Sequence, residues 1–210
     1  MTDPPTFIEE RGLHEQGYHL IAGIDEAGRG AIAGPVVAAA VVLPLSADIP
    51  WLSLVRDSKQ LSPSKREFLF EQIRVAELPI GVGMVPQVDI DDYGIVKATQ
   101  MAMSKAVEKL PLTPDFLLID ALPLPEISLP QRSIFHGDQL SLSIACASIV
   151  AKVARDHLMI KLDRVYPGYG LARHKGYGTE DHISCLYRMG LSPIHRRSFH
   201  PVKNMIYREK

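Results

Sequence analysis

At 210 residues and 23.2 kDa, with 46% apolar and 22% charged residues, the chain has the size and composition of one globular domain with at most a short appendage. This excludes a disordered chain, a collagen-like repeat and a disulfide scaffold, and the longest apolar runs are too short to span a bilayer. The formal net charge is −1, but residues 151–210 carry twelve Lys and Arg against five Asp and Glu, a balance of +7, which leaves −8 for residues 1–150. That asymmetry suits a nucleic-acid-binding region or a solvated basic helical surface equally well. Two cysteines, in no metal-ligand spacing, and the lack of a secretory leader pattern predict a reducing, cytoplasmic setting.

Residues 1–17 are polar and begin with a Pro4-Pro5 pair, which predicts a flexible N-terminal segment. His19 to Asp25 reads as a short apolar strand, broken by Gly28-Arg29-Gly30, and Gly34 to Leu43 reads as its hairpin partner. Ser62-Pro63 marks a helix start, with the helix running to about Ala76. Ile80 to Val85 reads as a third strand, and a helical stretch follows from Asp89, with Ile95, Ala98, Ala102, Ala106 and Leu110 on one face. Phe116 to Ile119 is a buried strand ending in Asp120. Ser141 to about Val165 is a long helix stopped by Pro167-Gly168. A Gly- and Tyr-rich loop, a helix from Thr179 to Met189 and a basic tail complete the chain. This order predicts an α/β fold: a mixed β-sheet flanked by helices, with a helical C-terminal part.

Three segments carry carboxylates. Asp25 and Glu26 close the first strand, Asp120 closes a later one, and Asp138 stands just before the long helix. Each has a plain structural alternative, as a turn residue or a helix cap. Taken together, an oxygen-only set with no His or Cys at zinc-like spacing suits Mg²⁺ or Mn²⁺, and a pair of such ions suits phosphodiester hydrolysis. The remaining candidates are cationic or backbone in character: the Gly28-Arg29-Gly30 turn, Lys59 in Asp57-Ser58-Lys59, Arg173-His174-Lys175-Gly176-Tyr177-Gly178, and His195-Arg196-Arg197-Ser198-Phe199. Cations beside aromatic rings are a usual way to hold a nucleic-acid strand, and a solvated loop is the alternative at each position.

With these pieces in order, the sequence resembles bacterial ribonuclease HII. The matching segments are Gly23 to Gly30, Asp57 to Leu61, Ile119-Asp120, Gly137-Asp138, Ile144 to Val153, His174 to Thr179 and His195 to Phe199. The resemblance implies a ribonuclease H-like core over residues 18–165 and a helical, basic substrate-binding region over 166–210. It implies hydrolysis of RNA in RNA–DNA hybrids and incision 5′ to a single ribonucleotide embedded in duplex DNA. It implies Asp25, Glu26, Asp120 and Asp138 as metal-binding catalytic carboxylates, with Mn²⁺ or Mg²⁺ as cofactor. Gly28, Arg29 and Gly30 match the turn whose backbone reads the 2′-hydroxyl, and Tyr177 matches the tyrosine that packs on the following deoxyribose. Lys59, His174 and Lys175 fall in segments that match substrate-backbone contacts. Asp156 is the rival to Asp138 as fourth carboxylate; the Gly-Asp context favours Asp138. The expected partners are RNA–DNA hybrids and ribonucleotide-containing DNA duplexes, with no membrane and a monomeric enzyme.

Overall fold

A computed structural model describes residues 3–45 and 49–208. Five strands form one sheet: β1 (Ile21–Ala27), β2 (Val36–Val42), β3 (Ile80–Val85), β4 (Phe116–Asp120) and β5 (Gln131–Ile134), in the order β3-β2-β1-β4-β5. The first three pair antiparallel, as the hairpin reading requires, while β4 runs parallel to β1 and β5 parallel to β4. The parallel β1–β4 neighbours put Asp25, Glu26 and Asp120 at adjacent C-terminal strand ends. That is where an open α/β sheet exposes the crevice in which ligands bind.

The sheet is covered on both faces. Along β2, Ala39 and Val41 join a cluster with Leu69, Ile73, Ile149 and Val150. The alternate residues Val36, Ala38 and Ala40 join a cluster with Ala98, Ala102 and Met103. A strand that is buried on both sides needs apolar residues at every position, and β2 is all Val and Ala. One cover is α2 (Pro63–Val75) with the long α5 (Leu142–Val165); the other is α4 (Ile95–Glu108). Ser62 caps α2 by accepting from the Lys65 N–H at 3.3 Å. The glycines of β3 have a packing reason: a Cβ at Gly81 or Gly83 would lie 1.9 or 2.0 Å from a carbonyl oxygen of α4. Gly23 does the same for α5, whose Ser143 backbone would meet a Cβ there at 2.2 Å.

Several elements differ from the sequence reading. The helical stretch from Asp89 is two helices, α3 (Gln87–Tyr93) and α4, because Gly94 between them has φ +80°. Strand β5 has no apolar alternation; it is a short edge strand held by backbone pairing to β4 and needs no buried face. Within residues 1–17 lies α1 (Ile8–His14). Its buried Glu10 accepts from the Ser141 hydroxyl, the Ser143 N–H and the Ser143 hydroxyl at 2.6, 2.9 and 2.7 Å. A carboxylate there satisfies free N-terminal donors of α5 and suits its dipole.

The C-terminal part is a short helical turn α6 (Leu171–His174), α7 (Glu180–Met189) and α8 (Val202–Arg208). A separate cluster of Ile32, Met159, Tyr169, Leu171, Leu186 and Ile194 fastens it to the far end of α5 and to the loop between β1 and β2. Among the described residues, no helix is long and apolar enough to cross a membrane.

Candidate active site

At the end of β1, Asp25 is 3% exposed and accepts from the Glu26 N–H at 2.7 Å. Asp120, at the end of β4, accepts from the Gly137 N–H at 2.8 Å. Asp25, Glu26 and Asp120 each offer an oxygen to one spot, all within 4.8 Å of one another. Neighbouring strand residues ordinarily face opposite ways. Here Asp25 and Glu26 both lie inside β1, opposite Ala39 and Ala38 of β2, and an oxygen of each still reaches the common spot.

These carboxyls oppose one another. Burial raises the Asp25 pKa well above the usual range, and the Glu26 and Asp120 carboxylates add to that. Burial also raises Glu26, against the lowering effect of Arg29, whose guanidinium lies 3.4 Å away. One Glu26 oxygen, Oε2, is buried with no hydrogen-bond partner. A buried set of mutually repelling oxygens, one of them unsatisfied, fits a hard divalent cation, which would neutralise the charge and take the open lone pair.

Asp138 lies in a 3₁₀ turn, Gly137–Gln139, and is 3% exposed. It stands beside the three-carboxylate cluster: Gly137 bonds to Asp120, and the Asp138 Oδ2 is 3.7 Å from the Lys59 ammonium. Burial, then the Asp57 carboxylate, push Asp138 up to about 6. Burial alone would lower Lys59, but Asp138, Asp57, Asp25 and Asp120 outweigh it and hold its ammonium above the ordinary value. Lys59 is thus a shared counter-charge for this acidic corner. Asp156 is elsewhere: it pairs with Lys152 at 2.8 Å, one turn away on the same helix.

The sign of these shifts gives a stability prediction. A carboxyl whose pKa is raised by folding stabilises the fold while protonated, and that contribution is lost as pH rises through the folded value. Asp25→Asn removes the charge. The metal-free variant is therefore expected to melt above the parent, with a margin that widens as pH rises above the ordinary aspartate range. Thermal denaturation in chelator checks this. A margin that shrinks with pH would contradict the repulsion.

The cleft beside the carboxylates has a volume of roughly 290 Å³ and takes in the 28–30 turn, Lys59, Lys152 and Tyr177. Gly28 has φ +95°, and a Cβ on it would lie 2.0 Å from the Arg155 Nε. Gly30 is different: a Cβ there would meet nothing within 4 Å. The N–H groups of Arg29 and Gly30 have no hydrogen-bond partner among the described residues. The carbonyls of the same turn point the other way. The buried Arg196 donates to those of Gly28, Arg29 and Gly34 at 2.8, 2.9 and 2.9 Å.

Arg155 is its counterpart, fully buried and donating to Pro35, Lys175 and Ala33 carbonyls at 3.0, 2.9 and 3.2 Å. Its guanidinium lies 5.5 Å from the centre of the Tyr177 ring, and the Lys152 ammonium 5.8 Å. Tyr177 is 37% exposed to the cleft side. The Lys175 ammonium folds back onto the Ala172 carbonyl. His174 is buried, with Nε2 on the Tyr169 carbonyl at 2.8 Å and Nδ1 accepting from the Gly176 N–H.

Arg155 escaped the sequence reading as a site residue, and Arg196 entered it only within a candidate strand-holding segment. Arg155 had a signal, since Ala147, Ala151, Arg155 and Met159 recur every four residues along the buried stripe of α5. Arg196 stood in the His195-to-Phe199 segment, whose cations read as strand-holding or solvated, yet His195 and Arg196 are interior.

The comparisons with known proteins agree with this geometry. The family model for ribonuclease HII matches residues 22–202. Ribonuclease HII of Dehalococcoides mccartyi strain BAV1 is 57% identical over 202 residues, covering 96% of this chain and 95% of its own. Ribonuclease HII of Desulfitobacterium hafniense strain Y51 is 54% identical over 198 residues, covering 94% and 75%. Among solved structures, ribonuclease H2 from Pyrococcus horikoshii OT3 superposes with a TM-score of 0.73 at 27% identity, over 90% of this chain and 97% of that one. The Archaeoglobus fulgidus ribonuclease HII, solved in complex with PCNA, gives 0.70 at 28% identity, over 84% and 93%. The chain belongs to the ribonuclease HII family, endoribonucleases that act on the RNA of RNA–DNA hybrids.

Proposed function

We propose that this enzyme, beyond cleaving RNA–DNA hybrids, incises DNA duplexes 5′ to a single embedded ribonucleotide and leaves 3′-OH and 5′-phosphate ends. The observation that carries the reading is the Gly28-Arg29-Gly30 turn: two unpartnered N–H groups beside the carboxylates, with open space at Gly30. A 2′-hydroxyl is the group that separates a ribonucleotide from its deoxy neighbours, and backbone donors behind a side-chain-free position can approach it closely.

Asp25, Glu26 and Asp120 would hold Mn²⁺ or Mg²⁺, with Asp138 completing the set next to Lys59. When bound, a divalent ion of this kind supplies water activation and neutralises charge on the leaving oxygen. The chain's own residues do the rest. Arg29 and Gly30 orient the ribose through its 2′-hydroxyl. Lys59, 79% exposed at its side chain, meets a backbone phosphate. The Tyr177 ring packs on the sugar that follows and leaves no room for a second hydroxyl. His174 and Lys175 hold this loop rather than touching the strand, since both side chains bond inward to backbone carbonyls. Two free cysteines, one of them buried, suit a reducing cytoplasm, and we take the working unit to be the monomer.

Tyr177→Ala tests the reading. The ratio of single-ribonucleotide incision to long-hybrid cleavage is expected to fall on the order of tenfold or more, because a packing surface that positions the scissile junction is lost. An unchanged ratio would remove the role given to the ring.

A further inference from the structure

Three histidines of the C-terminal part are buried beneath the Tyr177 loop: His174, His182 and His195, at 8%, 0% and 2% exposure. They come from α6, α7 and the turn after Ser192. The His174 and His182 rings stack with centres 4.1 Å apart and planes 17° from parallel. The His182 Nε2 lies 3.0 Å from the His195 Nε2. None of their hydrogen-bond partners is a carboxylate.

The proton positions follow from the partners. The His182 Nδ1 faces the Tyr177 carbonyl at 2.9 Å, and a carbonyl only accepts, so Nδ1 carries the proton. In the neutral ring Nε2 is then an acceptor, so the His195 Nε2 must donate to it. The His195 Nδ1 is left as an acceptor, and Ser192 supplies donors from its N–H at 3.0 Å and its hydroxyl at 2.8 Å. The reverse arrangement, with the His195 Nδ1 donating to the Ser192 carbonyl at 3.3 Å, would set the bare His182 Nδ1 against the Tyr177 oxygen. The first direction satisfies all the shorter contacts and leaves only the 3.3 Å approach of the His195 Nδ1 to the Ser192 carbonyl unused. Burial also pushes all three rings below the ordinary histidine value, His182 to about 4, which keeps them neutral near pH 7.

We propose that His182 and His195 are positioning residues for substrate choice: the one-way chain from Ser192 through His195 and His182 to the Tyr177 carbonyl fixes where the Tyr177 ring stands in the cleft. The Tyr177 carbonyl receives a second bond from the Thr179 N–H at 2.8 Å, and the Tyr177 N–H donates to the His174 carbonyl at 3.0 Å. The loop is thus held at Tyr177 from both sides, and His182 is the side-chain member of that clamp. The inference rests on the proposed reading of Tyr177.

The first test uses the unaltered protein. Long-range ¹⁵N–¹H correlation spectra near pH 7 are expected to show His182 protonated at Nδ1, and His174 and His195 at Nε2. A charged His182 or His195, or His182 protonated at Nε2, would overturn the chain. The second test is the incision ratio in variants. A Gln at 182 reaches toward His195 but leaves the Tyr177 carbonyl without this donor, whereas the Asn amide nitrogen sits where Nδ1 does. His182→Gln is expected to lower the single-ribonucleotide to hybrid ratio on the order of tenfold, and His182→Asn to restore most of it. Equal losses on both substrates would mean a merely structural histidine and overturn the proposal. If Tyr177→Ala lowers the ratio and His182→Gln does not, this inference fails alone. If neither moves it, the reading of Tyr177 fails first and takes this inference with it.

Discussion

Asp25→Asn is expected to cut the turnover of RNA–DNA hybrids by about a thousandfold, the equivalent of ~4 kcal/mol of lost charge stabilisation by a mis-held cation. The argument is geometric. Asp25 is the most buried of the three clustered carboxylates, and its neighbours Glu26 and Asp120 crowd the same 4.8 Å region. An amide keeps the shape and the acceptor for the Glu26 N–H, but it removes one of the negative charges that make the site a cation site. Substrate binding is expected to survive, because the proposed phosphate contacts come from cations at the cleft such as Lys59 and Lys152, which the substitution leaves in place. Single-turnover kinetics with a binding titration on the same variant separate the two effects. The same substitution is expected to raise the melting temperature in chelator. Loss of function with a gain of stability is the mark of residues strained for chemistry. A near-normal rate would show that the cluster is not where the metal acts.

Arg196→Ala is expected to destabilise the fold by roughly 3 kcal/mol, read by chemical denaturation. Three carbonyls, of Gly28, Arg29 and Gly34, lose this donor together, and the Gly28 carbonyl keeps only the Ala31 N–H at 3.3 Å. Each costs about 1–3 kcal/mol when left unpaired. Part of this is offset, because Arg196 is a buried cation whose pKa drops to about 9, through burial first and then the nearby Arg155 charge. Arg196→Lys should recover little, since an ammonium cannot present the planar fork that serves three acceptors. The molecules that remain folded are expected to lose single-ribonucleotide incision more than hybrid cleavage, because the turn proposed to read the 2′-hydroxyl has lost its backing. A change below about 1 kcal/mol would mean that the turn carbonyls find water or other donors.

The buried Arg196 also shows where sequence reasoning stops. Asp25, Glu26 and Asp120 were legible as carboxylates at strand ends, because apolar runs with acidic stops are a local pattern. Their convergence was not, since it depends on β4 inserting parallel beside β1 after two intervening strands and three helices. Asp138 read as a helix cap or a metal ligand; the cap belongs to Ser141 and Glu10, and Asp138 stands free of it beside Lys59. The helix cap at Ser62 and the helix start at Thr179 were local and visible. His174, His195 and Arg196 read as exposed cationic residues, because polarity predicts solvent. Their burial is set by the packing of residues 28–35 against the C-terminal part, a contact between segments more than 140 residues apart. The division into a core and a basic C-terminal region has the same limit, since α5 runs through both, contributing Ile149 to one cluster and Met159 to the other.

The central claim is that the carboxylate cluster and the Gly28-Arg29-Gly30 turn act as one site on one ribonucleotide. Incubating a DNA duplex that carries a single ribonucleotide with the enzyme, in Mn²⁺ or Mg²⁺ and in chelator, tests it most directly. The account predicts a metal-dependent nick on the 5′ side of the ribonucleotide, with a 3′-OH and a 5′-phosphate. Cleavage of long RNA–DNA hybrids with no nick at the lone ribonucleotide would contradict it.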